Sequence, residues 1–223
     1  HGVSSVIKAI AISSESLKRR MIFSRFFGSI LTVGSGGSTG LEGPIVCIGG
    51  AIGSVMGRGM KMNERHKKLL IGYGAAGAVA GIFNAPLTGL IFSLEIIIGE
   101  WTFLTILPTI IAAVSATEVS RLIMGNKITF FHEIGGFSVT SLLACFVLGA
   151  LSGILSIFFV KSILIWQRFF SKISLNSWIQ ATLGGFFVGI IGLFMPEVLS
   201  EGYNMTQYFL TSKIQPEIIF VIL

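Results

Sequence analysis

Long apolar runs without a charged residue, separated by short charged segments, dominate the chain. The runs cover 26–41, 43–57, 69–94, 101–117, 134–160 and 173–196. A helix needs about 20 residues to cross a hydrocarbon layer of about 30 Å. The runs 69–94, 134–160 and 173–196 are long enough, and 101–117 is marginal. The pattern therefore predicts an all-α, polytopic membrane protein.

Two runs are too short to cross a membrane alone. They are 26–41 and 43–57, and Glu42 lies between them. Helices that stop inside a bilayer are tolerated only where the broken backbone is buried in protein or lines a cavity. We therefore expect broken and re-entrant helices. One helix is expected to start at Pro44 and to run to about Gly57, because proline suits a helix's first turn.

Small residues mark a second helix, predicted from Lys67 to Gly81, because glycine and alanine let neighbouring helices approach closely. The segment Phe83-Asn84-Ala85-Pro86 is expected to break it. Asn84 is expected to cap the next helix, which runs to about Ile98. The other expected segments are a helical approach over 1–20, an apolar segment over 21–33, helices over 102–124, 138–172 and 176–194, an irregular stretch over 197–215 and a helix starting at 217.

The composition narrows the class further. Only 12% of the 223 residues are charged and 52% are hydrophobic, whereas soluble domains carry about 25% charged residues. Disorder, a soluble enzyme domain and a small secreted scaffold are excluded. The sequence has no nucleophile–base pair, metal-ligand cluster or cofactor fingerprint, so we expect no enzyme activity, metal or cofactor.

Basic residues account for the net charge of +6. They cluster over 18–25 and 58–68, between apolar runs. Such clusters are typical of loops that flank membrane segments on the cytoplasmic side. We therefore expect the lipid bilayer as a partner, and no nucleic acid.

Glu42 is the residue with the most informative position. An ionisable residue at membrane depth is costly, and its default interpretation is functional. A helix start exposes unpaired N–H groups and a partial positive charge, which attract anions. The Glu42 carboxylate could occupy such a site and be displaced by a diffusing anion or released by protonation. The alternative is a helix-capping glutamate on a loop outside the membrane.

Two motifs carry a resemblance to a known family. The first is Gly40-Leu41-Glu42-Gly43-Pro44, followed by Ile48-Gly49-Gly50. The second is Gly74-Ala75-Ala76-Gly77, followed by Phe83-Asn84-Ala85-Pro86-Leu87-Thr88-Gly89 and Phe92-Ser93-Leu94-Glu95. Their order and spacing resemble the signatures of the CLC family of chloride channels and chloride/proton antiporters. The match is best over residues 20–100.

The resemblance implies that Glu42 is the external gating glutamate of an anion pathway. Leu41 stands where the family usually has a basic residue. His1 stands at the serine's place of a second anion-site segment, Gly-Ser-Gly-Ile-Pro. The implied anion-binding residues are Leu41, Glu42, Gly43, Ile45, Val46 and His1.

Ile96 bears on the choice between a channel and an antiporter. In antiporters of the family this helix commonly ends in two adjacent glutamates, the second of which accepts protons. Here Glu95 is followed by Ile96, which cannot carry a proton, so we expect channel-like chloride transport. The alternative is a chloride/proton antiporter with another internal acceptor, for which Glu95 and Glu100 are candidates.

The resemblance also implies an assembly and a location. We expect a homodimer formed through the helices at about 84–98 and 102–124, in a cell (inner or plasma) membrane. Residues 1–223 are expected to form a single, partial CLC transmembrane domain that lacks the second half of the family core.

Overall fold

The structure, a computed structural model, describes residues 2–12, 17–126, 139–172 and 176–211. All regular elements in these ranges are helical, which confirms the predicted all-α fold class. The α-helices are α1 (Val3–Ala11), α2 (Arg19–Gly34), α3 (Glu42–Gly59), α4 (Glu64–Phe83), α5 (Pro86–Phe92), α6 (Phe103–Met124), α7 (Val139–Lys172), α8 (Ser177–Phe194) and α9 (Tyr203–Thr211). A π-helical segment, Ser93–Ile98, continues α5, and a short 3-10 turn covers Pro196–Val198.

The chain divides into two compact units. One unit comprises His1–Phe131 with Val188–Leu223, and the other comprises 132–187. Within the second unit, α7 is apolar on all sides, and its described side chains are exposed. A helix of that kind is buried in a large protein or lies in a membrane. Its segment Leu142–Lys172 is long and apolar enough to cross a bilayer, as is α6 in the first unit.

Helix α4 lies at the centre of the first unit, where it packs against α3, α5 and α6. One of the close contacts between α3 and α4 lies at Gly49 and Gly74. A Cβ atom on either glycine would collide with the backbone carbonyl oxygen of the other. The buried core nearby is built of small and medium side chains, including Cys47, Ala51 and Ala75. Small residues thus set the spacing of the helices, as the sequence predicts.

A proline inside α6 is compensated by a side chain of α4. Pro108 has no N–H, so the carbonyl oxygen of Leu104 lacks its usual partner four residues later. The hydroxyl of Tyr73 donates a hydrogen bond to this oxygen at 3.4 Å. In a bilayer no water is available to satisfy such a group, so the tyrosine supplies the missing donor.

Helix α3 begins two residues earlier than the sequence analysis expects. Leu41 is its N-cap, Glu42 is its first residue, and Pro44 is its third. The Ile45 N–H donates the first helical hydrogen bond, to the Leu41 carbonyl oxygen at 3.0 Å. The predicted start at Pro44 is wrong because every N–H in a first turn lacks a helical partner, so proline fits anywhere in that turn.

The predicted break at residues 83–86 is confirmed, but Asn84 plays a different part. It ends α4 in the left-handed conformation, with φ 53°, and Ala85 is the N-cap of α5. The Asn84 side chain accepts a hydrogen bond from Arg121 Nε at 2.6 Å and donates one to Asn126 Oδ1 at 2.9 Å. The predicted N-cap role is wrong because asparagine tolerates this backbone conformation and its amide reaches α6 instead.

Replacing Asn84 by alanine should destabilise the protein by about 2 kcal/mol, because the left-handed backbone and the Arg121 contact are both lost. Asn84→Gly keeps the backbone conformation and should cost about 1 kcal/mol. Thermal unfolding in detergent measures the difference between the two variants. Equal unfolding temperatures for them would mean that the backbone conformation contributes nothing.

The sequence predicts an irregular stretch over 197–215. This prediction is wrong in part, because α9 occupies the middle of the stretch. The helix is short and contains weak helix formers such as Asn204 and Thr206, so no local signal predicts it. Its start follows Gly202, which has φ 72°. The expected helix from residue 217 lies outside the described residues.

Candidate functional site

The starts of α1 and α3 lie side by side. Gly2 is the N-cap of α1, and its Cα lies 4.0 Å from the position that a Cβ on Gly43 would take. The Gly2 carbonyl oxygen accepts hydrogen bonds from the Cys47 thiol at 3.0 Å and from the Ser5 hydroxyl at 2.7 Å. The Cys47 bond ties the start of α1 to α3, and the Ser5 bond closes the first turn of α1 itself. Two helix N-termini, each with a partial positive charge, therefore meet in one place.

Glu42 places a carboxylate at this junction. Its side chain is exposed, and its Oε1 accepts a hydrogen bond from the Tyr203 hydroxyl at 2.8 Å. Its Oε2 lies against Gly40, where any side chain at that position would collide with it. Within the described part of the chain, the carboxylate accepts no N–H of the first turn of α3. The amides of that turn are thus left to another acceptor.

The segment 196–202 is hydrogen-bonded to the glycine- and serine-rich segment that precedes α3. The Thr39 N–H donates to the Ser200 carbonyl oxygen at 3.3 Å, and the Ser200 N–H donates to the Gly36 carbonyl oxygen at 3.4 Å. The Leu199 side chain fills the space beside Gly36 and Gly192, and a Cβ at Gly192 would lie 2.8 Å from Leu199 Cγ. This pairing brings the start of α9 to the start of α3.

Acidic groups surround this pairing. An open cavity of about 360 Å³ lies between the two segments, with Gly40, Glu197 and Glu201 in its lining. Burial raises the pKa of the Tyr203 phenol, and the hydrogen bond to Glu42 and the charges of Glu42 and Glu201 raise it further. The phenol is therefore a neutral hydrogen-bond donor at physiological pH.

Arg25 on α2 is a basic residue in the same unit. Helix α2 packs against α3, and the buried Nε of Arg25 has no hydrogen-bond partner among the described residues. In the sequence, this residue stands out only as a member of the basic cluster over 18–25. The half-buried guanidinium adds positive charge to this unit.

The structure brings most of the implied anion-binding residues together. Leu41, Glu42 and Gly43 form the start of α3, with Leu41 and Gly43 half-buried. Ile45 follows half-buried, and Val46 is buried in the core. His1 lies outside the described residues.

The candidate proton acceptors lie elsewhere. Glu95 and Ile96 are exposed on the π-helical segment, and Ile96 is 46% exposed. Glu100 is exposed after that segment and pairs with Arg65 at 3.8 Å. Among the described residues, neither glutamate contacts Glu42. The same ranges contain no group of three side chains that could ligate a metal ion.

Sequence reasoning missed Tyr203, Glu197 and Glu201. They lie about 160 positions after Glu42, and Tyr203 is 161 positions away. The only local signals there are Pro196 and Gly202, which indicate a turn and not its partner. Only the pairing of the two segments identifies these residues.

Comparisons with known proteins agree with this architecture. A family model described as "Voltage gated chloride channel" matches residues 1–223. The H(+)/Cl(-) exchange transporter ClcA of Vibrio cholerae is 31% identical over 194 residues, which are 83% of this chain and 42% of the relative. The voltage-gated ClC-type chloride channel ClcB of Citrobacter koseri is 30% identical over 186 residues, which are 82% of this chain and 44% of the relative.

Among solved structures, the crystal structure of a slow cyanobacterial Cl-/H+ antiporter superposes with a TM-score of 0.86 at 23% identity. The superposition covers 99% of this chain and 53% of that one. The chain thus spans about half the length of the proteins it matches, and at this identity the likeness concerns the fold.

Proposed function

Because the chain belongs to the voltage-gated chloride channel family, also called CLC, we propose that the protein it represents carries chloride or a similar small anion across a membrane. Glu42 is the gate in this proposal. Chloride passes down its gradient, as in a channel, and no metal or cofactor takes part. The residues of the anion site in this proposal are Leu41, Glu42, Gly43, Ile45, Val46 and His1.

One observation carries the proposal. A carboxylate lies beside the first turn of α3, where the start of α1 also lies, and it does not occupy the amides of that turn. The amides attract an anion, and Glu42 is close enough to compete with it. Protonation removes the competitor's charge. Gating by pH and by anion concentration follows from that competition.

Ile96 favours a channel over an antiporter. It stands where antiporters of the family commonly carry a proton-accepting glutamate, and an isoleucine side chain cannot bind a proton. Relatives of this chain are named both as channels and as exchange transporters. An antiporter that uses Glu95 or Glu100 is therefore the second candidate, favoured by the exposure of both carboxylates.

The apolar surfaces support a membrane location and a homodimer as parts of this proposal. Helices α6 and α7 contain the two candidate membrane spans in the described residues. On α6, Leu104, Leu107 and Ile111 form an exposed apolar row at helical spacing. Leu87 on α5 is exposed as well. A second copy of the chain in the membrane would cover these side chains.

The full-length protein, reconstituted in liposomes with a chloride gradient, should release chloride with no stoichiometric proton counterflow. Chloride and external pH are recorded together, and protein-free liposomes give the background. Proton movement in a fixed ratio to chloride, able to run uphill, would contradict the channel proposal. In that event Glu95→Gln and Glu100→Gln, measured in the same way, identify which carboxylate carries the proton.

A further inference from the structure

Tyr203 holds the proposed gate by a direct contact. Its hydroxyl donates to Glu42 Oε1 at 2.8 Å while Oε2 rests against Gly40. The carboxylate is thereby folded back, away from the first-turn amides of α3. We propose that Tyr203 is a positioning residue that holds the charged Glu42 carboxylate in this retracted position and so keeps the anion site accessible to chloride.

The framework around Tyr203 is suited to this role. Tyr203 is the first residue of α9, and its ring packs against Phe83 at a centroid distance of 6.4 Å. Phe83 is the last residue of α4 and contacts the buried core. The hydrogen bonds of Ser200 with Thr39 and Gly36 fix the preceding turn to the chain that leads into α3. The hydroxyl and the carboxylate are therefore held by the same part of the fold.

The chemistry of the contact distinguishes the two charge states of Glu42. A phenol that donates to a carboxylate forms a charge-assisted hydrogen bond, about twice as strong as a neutral one. Once Glu42 is protonated, most of that advantage is lost. To reach the amides of α3, the charged carboxylate must first break this bond. The hydroxyl of Tyr203 thus hinders the Glu42 carboxylate from blocking the anion site, and it does so only while the carboxylate is charged.

Removal of the hydroxyl should therefore lower chloride flux. Tyr203→Phe keeps the ring against Phe83 and loses the bond. Because the contact is exposed and water can partly replace the lost donor, we expect about three- to tenfold lower efflux at pH 7.5. At a pH low enough to protonate the Glu42 carboxylate, its flux should equal that of the unmodified protein, because the charge-assisted bond is lost in both. The assay is chloride efflux from liposomes that contain the full-length protein.

The Glu42→Gln background separates positioning from structure. There Tyr203→Phe should have no effect, because no charged carboxylate remains to be held. The other titratable groups that line the space beside the pair are Glu197 and Glu201. Their titration affects both proteins of each comparison equally. Tyr208→Phe, which removes a hydroxyl from the same helix and leaves the Glu42 bond intact, should keep the flux unchanged.

Each result of this experiment is decisive. A rise in flux in Tyr203→Phe would mean that the bond holds the gate in a blocking position. An equal fall in flux with Glu42 and with Glu42→Gln would mean that the hydroxyl has a merely structural role. Either result overturns the inference. The inference rests on the proposed function, but different results would refute the inference and the proposed function. If Glu42→Gln by itself leaves flux and its pH dependence unchanged, Glu42 is not a gate, and the proposed function fails first.

Discussion

Glu42→Gln should make the protein constitutively conductive. Glutamine has nearly the same shape but no negative charge, so it cannot compete with chloride for the first-turn amides of α3. A hydrogen bond of a charged group contributes about 1.5–3 kcal/mol, which is about tenfold or more in an equilibrium. Because Tyr203, in our proposal, already keeps the carboxylate off these amides part of the time, we expect the lower end of that range, a rise in efflux of about tenfold at pH 7.5. Its pH dependence should largely disappear. Chloride efflux from liposomes between pH 4 and 8 measures both changes.

Glu64→Gln is the matched control for that substitution. Glu64 is exposed on the first turn of α4 and pairs with Lys67 at 2.8 Å, so this variant also removes one negative charge from a helix start. Its flux should stay at the level of the unmodified protein. If Glu42→Gln behaves as this control does, the carboxylate at the start of α3 is not the gate. A rise in both variants would point to a general effect of net charge.

Gly49→Ala should separate α3 from α4 and lower the stability of the protein by about 2–3 kcal/mol. The new Cβ would collide with the Gly74 carbonyl oxygen and come within 2.7 Å of the Ala78 Cβ. A backbone carbonyl cannot move aside as a flexible side chain can, so the helices must shift apart. Thermal unfolding in detergent, together with the yield of folded protein on size exclusion, measures the loss.

Gly28→Ala provides the control for that packing effect. Gly28 lies within α2, and a Cβ there would meet nothing within 4 Å. Alanine favours a helix by about 1 kcal/mol over glycine, so Gly28→Ala should leave stability unchanged or raise it. Gly74→Ala places its Cβ against the Gly49 carbonyl oxygen and should repeat the loss seen with Gly49→Ala. If Gly28→Ala and Gly49→Ala changed the stability of the protein equally, close packing of α3 and α4 would be refuted as the cause.

The outcome at Asn84 and Pro44 illustrates the limit of local patterns. Both residues correctly mark a change of helix, because proline and asparagine have strong local backbone preferences. Asn84 does not specify which side of the boundary it belongs to, and Pro44 does not specify its position within the first turn of α3. Asn84 ends α4 because Arg121 and Asn126 bind its side chain, and those partners come from a later part of the chain.

The sequence by itself determined the class of protein, the predicted break near Pro86 and the presence of Glu42 at a helix start. These depend on uncharged run length, composition and the preferences of single residues, all of which act locally. Only the tertiary structure decided that the Glu42 carboxylate is folded back against Gly40 and bound by Tyr203 from 161 positions away. Such a contact arises because the turn before α9 pairs with the chain before α3, and no local pattern encodes that pairing.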